Sequence, residues 1–350
     1  MSVAKKIENV YKRIISNIDI RLESCKRLNV KDDKNKLVVL NTAINSDNLG
    51  DEIIMHYVMR AISKYLSGYE VIYIPTHCAP TEEQINEMLS AKSVLICGTN
   101  ILSPQMELYS GWKFDKRLIH LNNVILCGVG WWGYKAPSMY SKFVYRRILS
   151  KTCIQATRDD FTSTRLKELG VDTINTNCLT MWELDKICPE IPEEKSDKVV
   201  FTLTSVYSDI EHDLQLIYIL KKNYKHIYFW PQGDEDLHYF NRLYREEDIE
   251  VIDRTLQAYS DVLSHSDIDY VGSRLHGGIH ALHYKHRAII LVVDNRAREM
   301  GKDTGLPIIE MTEIEEKLDS LINSNWKTII VLNKSEQNKW LDSLSNELHR

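Results

Sequence analysis

The chain has 350 residues, enough for two domains of ordinary size, each with its own core. It is 43% hydrophobic and 27% charged with a net charge of −5, a globular composition without a basic field directed at nucleic acid. No run reaches the roughly 18 apolar residues of a membrane span, and the opening MSVAKKIENVYKR lacks the apolar core of a signal peptide.

Residues 1–36 alternate apolar and charged side chains at helical spacing, and Ile7, Val10, Tyr11, Ile14 and Ile15 form one stripe. The stripe reads either as the face of an amphipathic helix packed on the body of the protein or as a basic helix lying on a membrane surface. From Leu37, Val- and Ile-rich runs alternate with polar-periodic ones: LVVL at 37–40, VIYI at 71–74, SVLIC at 93–97, NVILC at 123–127 and CIQA at 153–156. Helices are predicted between them over 51–65 and 81–89. Continuous apolar strands separated by helices predict a parallel sheet covered on both faces, and hence a first domain over 37–175. The stretch 176–198, with CPEIPEEKSDK, carries prolines and clustered charge and predicts a linker or exposed loop. The rhythm restarts with VVFTLT at 199–204, HIYFW at 226–230, DYVGS at 269–273 and AIILVV at 288–293. Helices over 209–222 and 237–245 complete a second domain over 199–333, and 334–350 closes the chain with a helix. The expected fold class is α/β: two Rossmann-like domains whose parallel sheets face a central cleft. Ligands of such sheets bind outside the carboxyl ends of the strands. Seven cysteines, an odd set without a CxxC pair, predict a reduced, cytoplasmic protein with no disulfide framework or zinc knuckle.

The stretch GSRLHGGIHALHY, 272–284, sits where a strand ends and a helix begins. Arginine binds a carboxylate or phosphate in a two-pronged fashion, histidine can hold a phosphate oxygen or move a proton, and glycines admit close backbone approach to an anion at a helix start. Arg274, His276, Gly277 and Gly278 therefore form a candidate anion site; the alternative is a tight turn whose arginine pairs with a nearby acid. His276, His280 and His283 share a helical face, but no acid or cysteine stands at a ligand spacing, so no metal is expected. His286 at the helix end suits its dipole. A second candidate, NTAINSDNLGDEII at 41–54, offers Asn48 and Asp51 to substrate hydroxyls or a reacting proton, with Glu52 beside them; helix capping alone would explain Asp51. A third, TRDDFTSTRLKELG at 157–170, delivers Arg158 at a strand end, where it either points into the same cleft edge or pairs with Asp159 or Asp160. In CGVGWWGY, 127–134, Trp131 and Trp132 would stack on sugar rings if exposed and belong to the core if buried. Gln232, Asp234, Arg296 and Arg298 follow strands of the second half.

Together, NLGDE at 48–52, CGTNIL, CGVG, TRDDFTSTRLKELGV and SRLHGGIHAL resemble, in order and over roughly 37–310, the polysaccharide pyruvyl transferase family. The resemblance implies a GT-B-like fold and phosphoenolpyruvate as donor and co-substrate, with no further cofactor. The product would be a pyruvate ketal across two hydroxyls of a sugar in a bacterial-type surface polysaccharide, capsule or exopolysaccharide, or its precursor. It places Arg158, Arg274 and His276 at the donor and the chemistry. To these the residue reading adds the amides of Gly277 and Gly278 for the donor, Asp51 as base, and Asn48, Glu52, Trp131, Trp132 and Arg298 toward the acceptor. The chain departs from the family in CGTN, where a pair of glycines is frequent, and in its tandem tryptophans. Two other readings stay open: a GT-B glycosyltransferase using a nucleotide sugar, and a non-catalytic glycan-binding scaffold. A lipid-linked acceptor would bring the chain to the inner face of the membrane, where the N-terminal helix would lie. Oligomeric state stays open.

Overall fold

Leu37, Val38, Val39 and Leu40 are wholly buried along the middle of β1 (Asp33–Asn41), which pairs in parallel on both its sides. That is why the run is apolar without alternation: both faces of the strand are covered. The computed structural model describes residues 3–28, 30–109 and 111–350, and it divides the chain into two units.

The first unit comprises Met1–Asn45, Met55–Leu179 and Asn333–Arg350. Its strands continue with β2 (Glu70–Pro75), β3 (Ala91–Cys97), β4 (Val124–Cys127), β5 (Gln155–Thr157) and β6 (Thr173–Asn175). The main sheet runs β2-β1-β3-β4, and β5 and β6 pair with each other. The helices are α1 (Val3–Ser24), α2 (Leu49–Leu66), α3 (Glu82–Ser90), α4 (Met139–Ile148) and α5 (Asp160–Lys167). Thr81 and Gln84 start α3 with reciprocal side chain-to-backbone bonds, the capping box that satisfies two amide donors no intrahelical carbonyl can reach.

The second unit comprises Ser46–Ile54 and Thr180–Leu332. Its strands are β7 (Lys198–Thr202), β8 (His226–Phe229), β9 (Glu250–Val251), β10 (Asp269–Gly272), β11 (Ala288–Val292) and β12 (Ile308–Glu310), in the order β12-β11-β10-β7-β8-β9 and all parallel. Its helices are α6 (Leu184–Ile187), α7 (Ile210–Asn223), α8 (Asp234–Leu243), α9 (Leu256–His265), α10 (Leu275–His283), α11 (Asn295–Thr304) and α12 (Asp319–Asn323). The last helix, α13 (Lys334–Leu348), belongs to the first unit. There its Trp340 is wholly buried and its Gln337 Nε2 donates to the Thr176 carbonyl at 3.1 Å.

Four findings depart from the expectations. Residues 46–54, read as part of the first domain, cluster with the second unit, so the boundary falls inside α2. Residues 176–188 are no exposed loop: Thr176 to Met181 are buried and short helices follow, and the exposed connection is confined to 189–197, where Pro189 occupies the first turn of a short 3₁₀ helix and its missing N–H costs nothing. The apolar stripe of α1 points outward, against the reading of a stripe packed on the body: Ile7, Val10, Tyr11 and Ile14 are each more than half exposed, and the helix packs instead through Ile20 and Glu23. His286 is buried with Nε2 2.7 Å from the Leu263 carbonyl, and burial pushes its pKa down, so it supplies no cation to a helix dipole. Burial also pushes the Cys153 and Cys188 thiols up to about 12, which makes them inert packing residues. No described helix is long and apolar enough to cross a membrane.

Candidate functional site

In the second unit, β10 ends at Gly272 and α10 begins after Arg274, which stands at its N-cap in extended backbone. Neighbouring groups fix that backbone. The Tyr270 hydroxyl donates to the Arg274 carbonyl at 2.7 Å and lies 2.6 Å from Thr202 Oγ1, which accepts from the Arg274 amide at 3.2 Å. The side chain is equally constrained. Arg274 Nε donates to Asp236 Oδ2 at 3.0 Å, Nη2 donates to the same oxygen, and Nε also reaches the Leu203 carbonyl at 3.3 Å. Asp236 is wholly buried in the first turn of α8 and accepts in addition from the Ser205 and Gly233 amides at 2.9 and 3.2 Å. A buried carboxylate so satisfied is a fixed anchor, and Arg274 is half-buried on it with its remaining donors available. His276, two residues on, is 5% exposed.

The 46–51 segment lies against this same region. The Leu49 amide donates to the Gln232 carbonyl at 2.9 Å. An added methyl on Gly50 would come within 3.1 Å of Gln232 Oε1, and one on Gly277 within 2.6 Å of Gln232 Nε2. Gln232, buried, thus touches both motifs, and neither tolerates a side chain at its glycine without displacing it. Asp51 opens α2, buried, with Ser46 Oγ donating to Oδ2 at 2.6 Å; Asn48 Oδ1 accepts from the Gly50 amide at 3.1 Å; Glu52 is exposed. Asp47 bonds the Asp234 amide at 3.0 Å and Arg254 Nη1 at 3.1 Å, tying the segment down from the other side. Burial works against the Arg296 charge, and Asp294, which accepts from its Nε at 2.8 Å, outweighs that with smaller help from Tyr207 and Asp51. Asn48, Asp51, Arg274 and His276 are therefore brought to one region of one unit.

In the first unit, Arg158 follows β5 and is 1% exposed. Its Nε pairs with Asp159 Oδ2 at 3.1 Å and its Nη2 with Asn100 Oδ1, while Nη1, also buried, has no partner among the described residues. The guanidinium lies flat against Gly130, where an added Cβ would fall 2.1 Å from Cζ, so only glycine leaves room for it. Asp159 uses its other oxygen to cap α5, accepting from the Thr162 amide at 2.7 Å. Thr99, just past β3, holds φ +58, a left-handed conformation that costs a β-branched residue strain glycine would avoid.

Several expectations are corrected here. The amides of Gly277 and Gly278 donate to the Arg274 carbonyl at 3.0 and 3.3 Å and are not offered to an anion; both glycines instead let α10 close onto Tyr270. Trp131 is 0% exposed, its Nε1 donating to the Lys135 carbonyl at 3.2 Å, and belongs to the core; Trp132 is 38% exposed beside Tyr109, ring centroids 4.5 Å apart. Arg298 is forked onto Glu310 at 2.8 and 2.7 Å rather than directed to a ligand. His280 and His283 bond Ser260 Oγ and the Thr180 carbonyl. Sequence reasoning missed Asp236 and Asn100; the one trace of Asp236 was a run of three acids at a helix start, which capping explains equally well.

A family model described as polysaccharide pyruvyl transferase matches residues 48–295. No curated protein matches the chain. Among solved structures, the chain is similar to the UDP-GlcNAc 2-epimerase of Methanocaldococcus jannaschii, solved with UDP-GlcNAc and UDP, at 14% identity and TM-score 0.52, covering 87% of this chain and 98% of that one. It is also similar to S. aureus MnaA, solved with UDP, at 11% identity and TM-score 0.53, covering 90% and 96%. The UDP-N-acetylglucosamine 2-epimerase of Rickettsia bellii follows at 11% identity and TM-score 0.50, covering 90% and 95%. At such identities the likeness is one of fold, the GT-B-like kind with α/β units built on parallel sheets.

Proposed function

The chain belongs to the polysaccharide pyruvyl transferase family, and on that premise we propose that it moves the pyruvyl group of phosphoenolpyruvate onto two hydroxyls of a sugar. The sugar belongs to a bacterial-type surface polysaccharide or its precursor. The supporting observation is Gln232 lodged against both Gly50 and Gly277, which sets Asp51 and the Arg274–His276 pair in one region although they are far apart in sequence.

The chemistry sets the roles. Protonation of C3 of phosphoenolpyruvate leaves an oxocarbenium-like centre at C2; one hydroxyl adds there, the C2–O bond to phosphate breaks, and the second hydroxyl closes the ketal. Of the two hydroxyl protons, one is balanced by that gained at C3 and the other leaves with phosphate. Arg274, held by Asp236, binds the donor's anionic groups and neutralises charge as phosphate departs. His276 passes a proton or holds the leaving phosphate, and Asp51 accepts the proton of an attacking hydroxyl. Arg158 keeps Nη1 as its one uncommitted donor, which suits a single bond to an oxyanion. Asn48 and Glu52 of the second unit remain for the acceptor, and Trp132 of the first is exposed enough to stack on a sugar ring.

Thermal unfolding in the presence of phosphoenolpyruvate, and separately of UDP-N-acetylglucosamine, tests the donor: at about 100 times Kd a bound ligand adds about 2.7 kcal/mol. Stabilisation by phosphoenolpyruvate is expected. Stabilisation by the nucleotide sugar alone would transfer the assignment to a glycosyltransferase. Phosphoenolpyruvate binding without phosphate release against any acceptor would leave a non-catalytic scaffold.

A further inference from the structure

The first unit carries a second chemical feature, on α1 and α4, that no step of pyruvyl transfer uses. Ile7, Val10, Tyr11, Ile14, Ile18 and Leu22 are each at least half exposed and fall on one face of α1. At 3.6 residues per turn this face is opposite the one that packs through Arg13, Ile20 and Glu23. An unbroken apolar stripe of this length on an ordered helix signals an interaction surface rather than scattered surface apolarity.

Beside it lies a groove of about 850 Å³ whose lining includes Arg21, Lys92, Lys142, Arg146, Arg147 and Lys151. Arg21 joins the two features: it is exposed on α1 between Ile18 and Leu22, lines the groove, and stacks over the Phe143 ring at 5.0 Å. Arg146 and Arg147 donate through Nε to the carbonyl oxygens of Leu169 and Ile119, bonds that leave their charge uncompensated. Among the described residues lining the groove, Glu347 is the one acid, and its Oε1 already accepts from Thr152 at 2.8 Å. The concentration of positive charge stands out in a chain whose net charge is −5.

We propose that α1 and the basic groove beside it form a peripheral docking surface for an anionic lipid bilayer, the stripe entering the headgroup–acyl boundary and the lysines and arginines meeting lipid phosphates. Charge complementarity selects this occupant over a second copy of the chain, because two such grooves would repel. Helices apolar on one face with a basic flank lie in the interface plane; on α1 that flank carries Lys6 and Arg21, while Glu8 and Asp19 border the other side, and each nearby Lys or Arg adds attraction to an anionic leaflet. The proposal stands independently of the donor and acceptor assignment.

The test is co-sedimentation of the full chain with vesicles of phosphatidylcholine alone and of equal parts phosphatidylcholine and phosphatidylglycerol, with size-exclusion chromatography of every variant. The wild type is expected to bind the mixed vesicles and to lose binding as salt rises. Ile14→Glu/Ile18→Glu, on exposed positions, and Lys142→Glu/Lys151→Glu are each expected to weaken binding about tenfold or more with an unchanged unfolding temperature. Wild type that stays in the supernatant with mixed vesicles overturns the proposal. So do variants that bind as tightly as wild type, or a wild-type dimer that Ile14→Glu/Ile18→Glu turns into a monomer without change in vesicle binding.

Discussion

Arg158 and Arg274 occupy the same kind of place, the junction of a parallel strand with the helix that follows, and each is paired with an aspartate. Their surroundings differ. Arg158 is wholly buried, pressed on Gly130, and shares Asp159 with the cap of α5. Arg274 is half-buried, and its aspartate comes from another helix, α8. An arginine paired with its sequence neighbour and closed in by backbone is held mainly by its own unit, with Nη1 alone left without a partner; one anchored from a distance and left partly open keeps more of its donors. Equivalent motif positions thus need not carry equal shares of stability and chemistry.

The largest expected effect separates the two. Arg274→Ala should lower turnover about 10²- to 10³-fold and cost less stability than loss of Arg158, because Asp236 keeps the Ser205 and Gly233 amides when its arginine is removed. Arg158→Ala strands a buried carboxylate and should cost about 3–5 kcal/mol in denaturant unfolding. Equal losses of stability in both would erase the distinction. The tandem tryptophans sharpen it next: Trp131→Ala should cost about 3–5 kcal/mol, whereas Trp132→Ala should leave stability within about 0.5 kcal/mol and raise KM for the acceptor.

A third test contrasts the two ends of β10. Asp269, at its amino end, is pushed up to about 6 by burial, offset in part by Arg287 and the Tyr224 hydroxyl, against 3.8 for the free side chain. The folded chain therefore holds a proton that the unfolded chain has released. The stability this contributes is complete below about pH 3.8 and is lost as pH rises to about 6. Between pH 4 and 7 the wild type should lose about 2–3 kcal/mol relative to Asp269→Asn. Activity at the carboxyl end should follow a different pH profile. Thr99→Gly, which removes a left-handed β-branched residue beside Arg158's partner Asn100, should stabilise by about 0.5–1 kcal/mol.

How much of this was legible follows from what each feature depends on. The apolar strands announced themselves because burial on both faces writes an unbroken run, and nine of the runs picked out from sequence became strands. β6, β9 and β12 are two or three residues long and carry no period to read. The two arginine motifs were visible as strand-to-helix junctions. Asp236, which holds Arg274, was not, because its role is defined by a partner 38 residues away in the chain. Nor could composition assign 46–54 to the second unit, since that depends on Gln232 receiving Leu49. Trp131 and Trp132 are adjacent and chemically identical; only the packing around Tyr145 and Tyr109 tells one from the other.

Calorimetric titration of phosphoenolpyruvate into wild type and Arg274→Ala tests the central claim most directly. One site per chain is expected in wild type and its loss in the variant, with the variant still folded at the titration temperature by circular dichroism. Wild type that takes up no phosphoenolpyruvate, or a variant that binds it as tightly, would contradict the account.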